Sequence, residues 1–197
     1  MRVWCLGIGL GLVGCVPVLE SGIDTNEPWT CPANNWSVSE PPSNLVGTGF
    51  FEGQVVPDGQ LLDQNGDSAC LWQFYGKVVV LDVSTIWCVP CQELAEGAEE
   101  TFQFYKDDDV MYVTVLTQDY DSNPPDLDDL IFWADSFDLT SPVLADPNAD
   151  YAGNALVAGS YPAIMILDRT MTVQARISSP PSDEKIREAV DAVLAAE

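Results

Sequence analysis

The sequence predicts an α/β domain, a central mixed sheet with helices packed on its faces. Three observations carry that expectation. Lys77-Val-Val-Val-Leu-Asp-Val83 is a near-continuous apolar run, the signature of a strand buried on both sides. Apolar residues then recur at helical spacing over Glu93–Lys106, at Leu94, Ala98, Phe102 and Tyr105. A second apolar run follows over Val110–Thr117, so strand and helix alternate. Further along, Pro124-Pro125 signals a helix start, and Asp126–Phe137 places Leu127, Leu130, Ile131, Ala134 and Phe137 on one face. Ala163–Leu167 and Met171–Ile177 read as two strands joined by a turn at Asp168-Arg169-Thr170. Ser182 can cap a last helix that turns Ile186, Val190, Val193 and Leu194 inward. The resulting order is β-α-β-α-β-β-α, with no internal repeat.

Composition narrows the chemistry. The 197 residues contain 31 Asp and Glu against 7 Lys and Arg, six cysteines and no histidine, for a formal net charge of −24. So acidic a chain has no basic stripe for a phosphate backbone, and no nucleic-acid partner is expected. Without histidine there is no Ser-His-Asp or Cys-His nucleophile and no imidazole metal ligand. Hydrophobic residues make up 47% of the chain and six residues are tryptophan, which argues against disorder throughout. Reactive chemistry therefore has to come from cysteine or carboxylate.

Residues 1–14 read as a signal segment. Arg2 is a minimal positive start, and the apolar stretch Val3–Val13 is shorter than the roughly 20 residues a spanning helix needs. It ends in Leu12-Val13-Gly14-Cys15, which resembles the lipobox of bacterial lipoproteins. That resemblance implies cleavage before Cys15, lipidation of its thiol and an exported, membrane-anchored protein. Val16, rather than aspartate, follows the lipid site, and by the same resemblance favours the outer membrane of a Gram-negative cell. An ordinary secretory signal with an incidental cysteine is the alternative. Residues 15–48 carry Pro17, Pro28, Pro32, Pro41 and Pro42 without helical or strand period, as a spacer would. Trp29, Cys31 and Trp36 interrupt that character and are expected to pack on the domain of residues 49–197.

Trp87-Cys88-Val89-Pro90-Cys91 stands between the first strand and the first helix. A cysteine at a helix start meets unpaired N–H groups and the positive end of the dipole, which stabilise its thiolate. The second sulfur, one turn further, can close a disulfide with the first. Cys88 is then the nucleophile and Cys91 the resolving thiol, while Pro90 suits the first turn, where its missing N–H costs little. The competing readings are half of a zinc site and a purely structural disulfide. Zinc would need two further ligands from Cys31, Cys70 or carboxylates.

Gly76-Lys77-Val-Val-Val-Leu-Asp82-Val-Ser-Thr-Ile-Trp87-Cys88-Val-Pro-Cys91 resembles the active-site strand and motif of thioredoxin-fold proteins, in particular the TlpA-like group of exported, membrane-tethered thiol-disulfide oxidoreductases. The resemblance runs from about Phe51 to Glu197. Leu61–Gly66 followed by Leu71–Tyr75 looks like the group's N-terminal hairpin and short helix, and the stretch Asp119–Asp138 like its central helical insertion. It implies a thioredoxin fold and a cis-proline opposite the cysteines, for which Tyr161-Pro162 fits. Pro162 brings no competing N–H, and Tyr161 could pair with an extended substrate strand. It implies a role for Asp82, six residues before Cys88, as proton acceptor from the resolving thiol. A carboxyl buried in an apolar strand has a raised pKa suited to that task. The lysine that thioredoxins place beside this acid is missing from Val110–Thr117. Trp87, by resemblance, shields the disulfide and shapes the docking surface. Protein thiols and disulfides are the implied substrates, a membrane reductase the implied electron donor, and no dissociable cofactor or metal is needed.

Direction of electron flow leans towards a reductant or isomerase. No histidine lies between the cysteines, and Glu93, Glu96, Glu99 and Glu100 disfavour a thiolate. Two other classes compete. Thr85-Ile-Trp-Cys88 matches the Thr-x-x-Cys core of peroxiredoxins, but Leu81 stands where their proline belongs. Asp119–Asn123, Asp146–Asp150 and Asp63–Asp67 alternate oxygen ligands as calcium loops do, yet none has glycine at the sixth position. Solvated acidic loops fit them better. Cys31 and Cys70 remain, either as a structural disulfide pinning the spacer to the domain or as two free thiols.

Overall fold

The computed structural model describes residues 29–157, 159–177 and 180–196. Residues 1–14 and Cys15, read above as signal and lipid site, lie outside them.

The run of β-branched residues after Gly76 does form the central strand. Gly76 takes a φ of +89°, open to glycine, and turns the chain into β3 (Val78–Ser84), every residue of which is buried. It pairs in parallel with β4 (Val110–Leu116) and antiparallel with β6 (Ala163–Leu167). The hairpin β1 (Gln60–Asp63) and β2 (Ser68–Cys70) and the strands β5 (Val143–Ala145) and β7 (Val173–Arg176) complete a mixed seven-stranded sheet ordered β2-β1-β5-β4-β3-β6-β7. A 3-10 turn, Leu71–Gln73, follows the hairpin. The expected thioredoxin-like architecture is therefore present, hairpin and central helix included.

Alternation along β3 divides the core. Val78 and Val80 face α1 (Val89–Phe104) and α4 (Asp183–Ala196), packing with Leu94, Ala98, Ile186 and Val190. The insertion helix α2 (Leu127–Ser136) buries Leu130 and Trp133 in the same cluster. Val79, Leu81 and Val83 face the other way, onto Phe50, Val56, Phe74 and the short α3 (Asp150–Ala155). Each such side chain contributes roughly 1.5–3 kcal/mol on burial, so both faces of the sheet are held by their covers.

Three elements differ from the sequence reading. β5 and α3 were not expected, because three residues between Pro142 and Asp146 and six after Asn148 are too short to show a period. The first helix begins at Val89, not Glu93, since the motif itself supplies the first turn. Gly97, in its middle, leaves room for the first residue of α4: a Cβ there would lie 1.9 Å from Asp183 Oδ2.

The chain from Trp29 lies against the hairpin end of the sheet. The Trp29 and Trp36 indoles donate to Asp58 and Asp63, both at 2.7 Å, and the Ser39 amide donates to the Gln73 carbonyl at 2.8 Å. Cys31 and Cys70 are joined in a disulfide across 39 residues of sequence.

Candidate active site

The end of β3 delivers the redox motif. Cys88 has extended backbone angles and caps α1; the Cys91 amide donates to Cys88 Sγ at 3.2 Å and the Gln92 amide to the Cys88 carbonyl at 3.1 Å. Pro90 sits in the first turn, where no intrahelical N–H is missed. Cys88 and Cys91 are bonded to each other, with Cα atoms 5.2 Å apart. Cys88 keeps a 4% opening to solvent and Cys91 has none, so an incoming sulfur meets Cys88 first. The Gln92 side-chain amide donates to the Ile86 carbonyl at 2.6 Å and closes the loop behind the motif.

Around that opening stand the other expected residues. The Tyr161–Pro162 peptide is cis. The Tyr161 ring meets Trp87 edge-on, centroids 5.7 Å apart, and its hydroxyl bonds Thr117 Oγ1 at 2.7 Å. The Trp87 indole, exposed at 42%, donates to Gln118 Oε1 at 3.0 Å. Trp87, Cys88, Tyr161 and Pro162 are thus brought together from two segments, with Thr117 and Gln118 of a third holding the two rings. A groove of about 340 Å³ opens beside them, walled by Pro90, Leu94, Tyr161, Pro162 and Ile177, with Glu93 and Asp183 as its acids. Of the four glutamates on α1, only Glu93 reaches this groove; Glu99 accepts from the Thr140 amide and Glu100 pairs with Arg187.

Asp82 lies under the motif, on the α1 face of β3 by alternation with Val80. It is 1% exposed, and burial pushes its carboxyl up to about 7. The Ser84 hydroxyl donates to Oδ1 at 2.5 Å, favouring the charged form without undoing that shift. Where a lysine was missed, β4 presents Tyr112. Its buried hydroxyl faces the Asp82 carboxyl closely enough to favour the charge, yet outside hydrogen-bonding geometry. Oδ2 of Asp82 and the Tyr112 hydroxyl both lack a partner among the described residues.

The acidic loops are occupied locally. Asp119 Oδ1 accepts from the Asp121 and Asn123 amides, Asp146 accepts from the amides of residues 150–152, and Asp63 from those of Asn65 and Asp67. Among the described residues no group of three or more acidic or cysteine side chains is gathered to hold a metal ion.

Thr117, Gln118, Gln92 and Tyr112 were not singled out in the sequence. Only position could have found the first two: they directly follow β4, at the edge of the sheet where α/β proteins gather their sites.

A paired Cys-x-x-Cys at the head of a helix, opposed by a cis-proline on a mixed sheet, defines a thioredoxin-like thiol-disulfide oxidoreductase. The AhpC/TSA family model matches residues 53–176, and the chain belongs to that family. It is 33% identical over 129 residues to the thioredoxin-like protein YneN of Bacillus subtilis, covering 64% of this chain and 71% of that protein. It is 27% identical to the thiol-disulfide oxidoreductase ResA of Geobacillus thermodenitrificans over 74% of this chain and 80% of that one. A crystal structure described as a DsbE-type thiol:disulfide interchange protein of Chlorobium tepidum shares the fold at a TM-score of 0.61 and 21% identity. It matches 74% of this chain and 99% of that one.

Proposed function

We propose that the protein is exported, anchored through a lipidated Cys15, and passes electrons to protein disulfides through the Cys88–Cys91 pair. The observation that carries this reading is the asymmetry of the two sulfurs, one open beside a groove and one sealed in the core, with a buried acid on the strand face that α1 covers. In the reduced enzyme the Cys88 thiolate attacks a substrate sulfur, forming a mixed disulfide and releasing the substrate's other sulfur as thiolate. Cys91 gives its proton to Asp82 and attacks Cys88 Sγ, which frees the second substrate sulfur and closes the Cys88–Cys91 disulfide. Two electrons have then moved from the pair to the substrate, and no dissociable cofactor takes part. Pro162 and Tyr161 hold the substrate backbone, and Trp87 covers the pair from the other side. A membrane reductase is the electron donor that would restore the dithiol.

The direction rests on charge. Between Lys77 and Lys106 the chain has no basic side chain, so nothing cationic on β3 or α1 steadies the thiolate. A reduced form without that support is a better donor. Residues 15–48 act as the spacer, pinned to the domain from Trp29 onwards, and the Cys31–Cys70 disulfide fits an oxidising compartment.

Reduction of hydroxyethyl disulfide by the dithiol enzyme tests the core of the reading. Cys88→Ser is expected to abolish it, and Cys91→Ser to stall with the small thiol bound to Cys88, visible as added mass. Exchange that survives in Cys88→Ser defeats the assignment, and peroxide consumption faster than disulfide reduction favours the peroxidase class instead. Labelled fatty acid incorporated by the wild type but not by Cys15→Ser tests the anchor.

A further inference from the structure

One exposed aromatic strip leads away from the redox pair. It begins at Trp87, whose indole is fixed by Gln118. Two residues beyond Gln118, and so no more than about 7 Å away along the chain, Tyr120 stands 61% exposed. Its ring meets Phe132 of α2 edge-on, with centroids 6.2 Å apart. Phe132 is 49% exposed and its neighbour Ile131 40%, while Leu130 and Trp133 of the same helix point into the core. Ile131, expected from the periodicity to face inward, instead lies on this outer side. Isolated exposed apolar residues need no explanation, but a line of large ones running from a reactive centre marks an interaction surface.

The charge around the strip selects its partner. From Asp107 to Asp168 the chain has not one lysine or arginine. Asp121 adjoins Tyr120 in the chain, Asp128 and Asp135 stand one helical turn from Ile131 and Phe132 on α2, and all three are exposed. The protein's own residues 16–28 could reach such a surface, yet they carry Glu20, Asp24 and Glu27 and no basic residue. A second copy brings a net charge of −24. Both are repelled.

We propose that Trp87, Tyr120, Ile131 and Phe132 are the docking face for a protein thiol-disulfide partner that presents an apolar centre rimmed by lysine or arginine beside its reactive cysteine. The proposal rests on the exchange activity above. Docking there brings the partner's sulfur to the opening at Cys88, and the acidic rim draws a cationic partner in before contact.

The full-length reduced protein is mixed with two disulfide-bonded peptides, alike except that lysines in one replace glutamates in the other around a Leu-Phe-Cys core. Hydroxyethyl disulfide serves as the reference. The lysine peptide is expected to be reduced at least tenfold faster than the glutamate peptide in 20 mM salt, with the gap closing towards 0.5 M as the Debye length shrinks. Tyr120→Ser with Phe132→Ser should lower the lysine-peptide rate about tenfold relative to the reference rate. Both residues are exposed, so folding is expected to survive; Phe132→Lys, which also reverses local charge, gives an independent second reading in the same direction. Equal rates for the two peptides, or no change in the ratio in either variant, overturns the docking face. A photoreactive residue at position 120 that cross-links to residues 16–28 or to a second copy overturns it as well. Failure to reduce hydroxyethyl disulfide at all would strike the exchange reading instead, so the two outcomes are distinct.

Discussion

Replacing Asp82 by asparagine should make the protein more stable above neutral pH and leave it nearly unchanged in mild acid. Asp82 is sealed in β3, and burial raises its carboxyl from the ordinary value near 4 to about 7. The sign follows from proton counting. Between those two values the unfolded chain has released its proton while the folded chain still holds one. Stability attributable to this residue is therefore complete below pH 4 and falls as pH rises, by about 1.4 kcal/mol per pH unit. Across three units the loss approaches about 4 kcal/mol, the full difference between the two states of the group. For a domain of this size 1 kcal/mol corresponds to about 2–4 °C in Tm, so Asp82→Asn should gain roughly 8–16 °C at pH 8 and little at pH 4.5. Asparagine keeps an oxygen for the Ser84 hydroxyl and brings no charge. Asp58, Asp146 and Asp183 are also raised by burial and tilt both proteins in the same direction. The informative quantity is therefore the difference between wild type and variant, from urea unfolding at several pH values with both disulfides intact. Parallel stability curves for the two proteins from pH 4.5 to 8 would refute the argument that this carboxyl is buried at a cost. On the proton-acceptor role proposed above for Asp82, resolution of the mixed disulfide by Cys91 should slow in the same variant.

Two further perturbations probe the scaffold. Cys31→Ala with Cys70→Ala opens a 39-residue loop, for which chain entropy gives about 4 kcal/mol of lost stability; an unshifted urea midpoint would mean the Trp29 and Trp36 contacts alone hold the segment. Gly97→Ala gains up to about 1 kcal/mol in helix propensity but drives a methyl to 1.9 Å from Asp183 Oδ2. Overpacking of that kind costs about 1–3 kcal/mol. A lower midpoint is expected, and a higher one would show that Asp183 moves aside freely.

The parts of this molecule that were legible in the sequence are those with one strong local cause. β3 is a run of buried valines, and no other conformation hides it. The redox motif carries its own helix start, cap and proline. Elements defined by neighbours were not legible. β5 is three residues long and exists because β1 and β4 offer it both edges. Ile131 fits the inward stripe of α2 by spacing, but the helix turns it to solvent, because Leu130 and Trp133 fill the space against the sheet. Gln118 and Tyr112 matter through contacts across the sheet, on which spacing along the chain is silent.

The two sulfurs are set unequal by the same backbone that makes the fold. A strand ending at a helix start gives Cys88 an amide donor and an outlet to solvent, while one turn of helix carries Cys91 beneath the surface. A thiolate formed at Cys88 meets the helix dipole; one formed at Cys91 meets apolar side chains and no cation. Cys91 can attack only if its proton has somewhere to go at that moment, and in the mechanism proposed above it goes to Asp82, buried on the α1 face of β3. The absence of a lysine beside Asp82 then acquires a meaning. An ammonium there would lower the carboxyl and weaken it as an acceptor, whereas the neutral Tyr112 leaves it near 7, where it takes a proton at physiological pH and releases it again. On that proposal, the stability given up by burying Asp82, only partly offset by the Ser84 hydroxyl, is the counterpart of a base poised for the second half of the exchange.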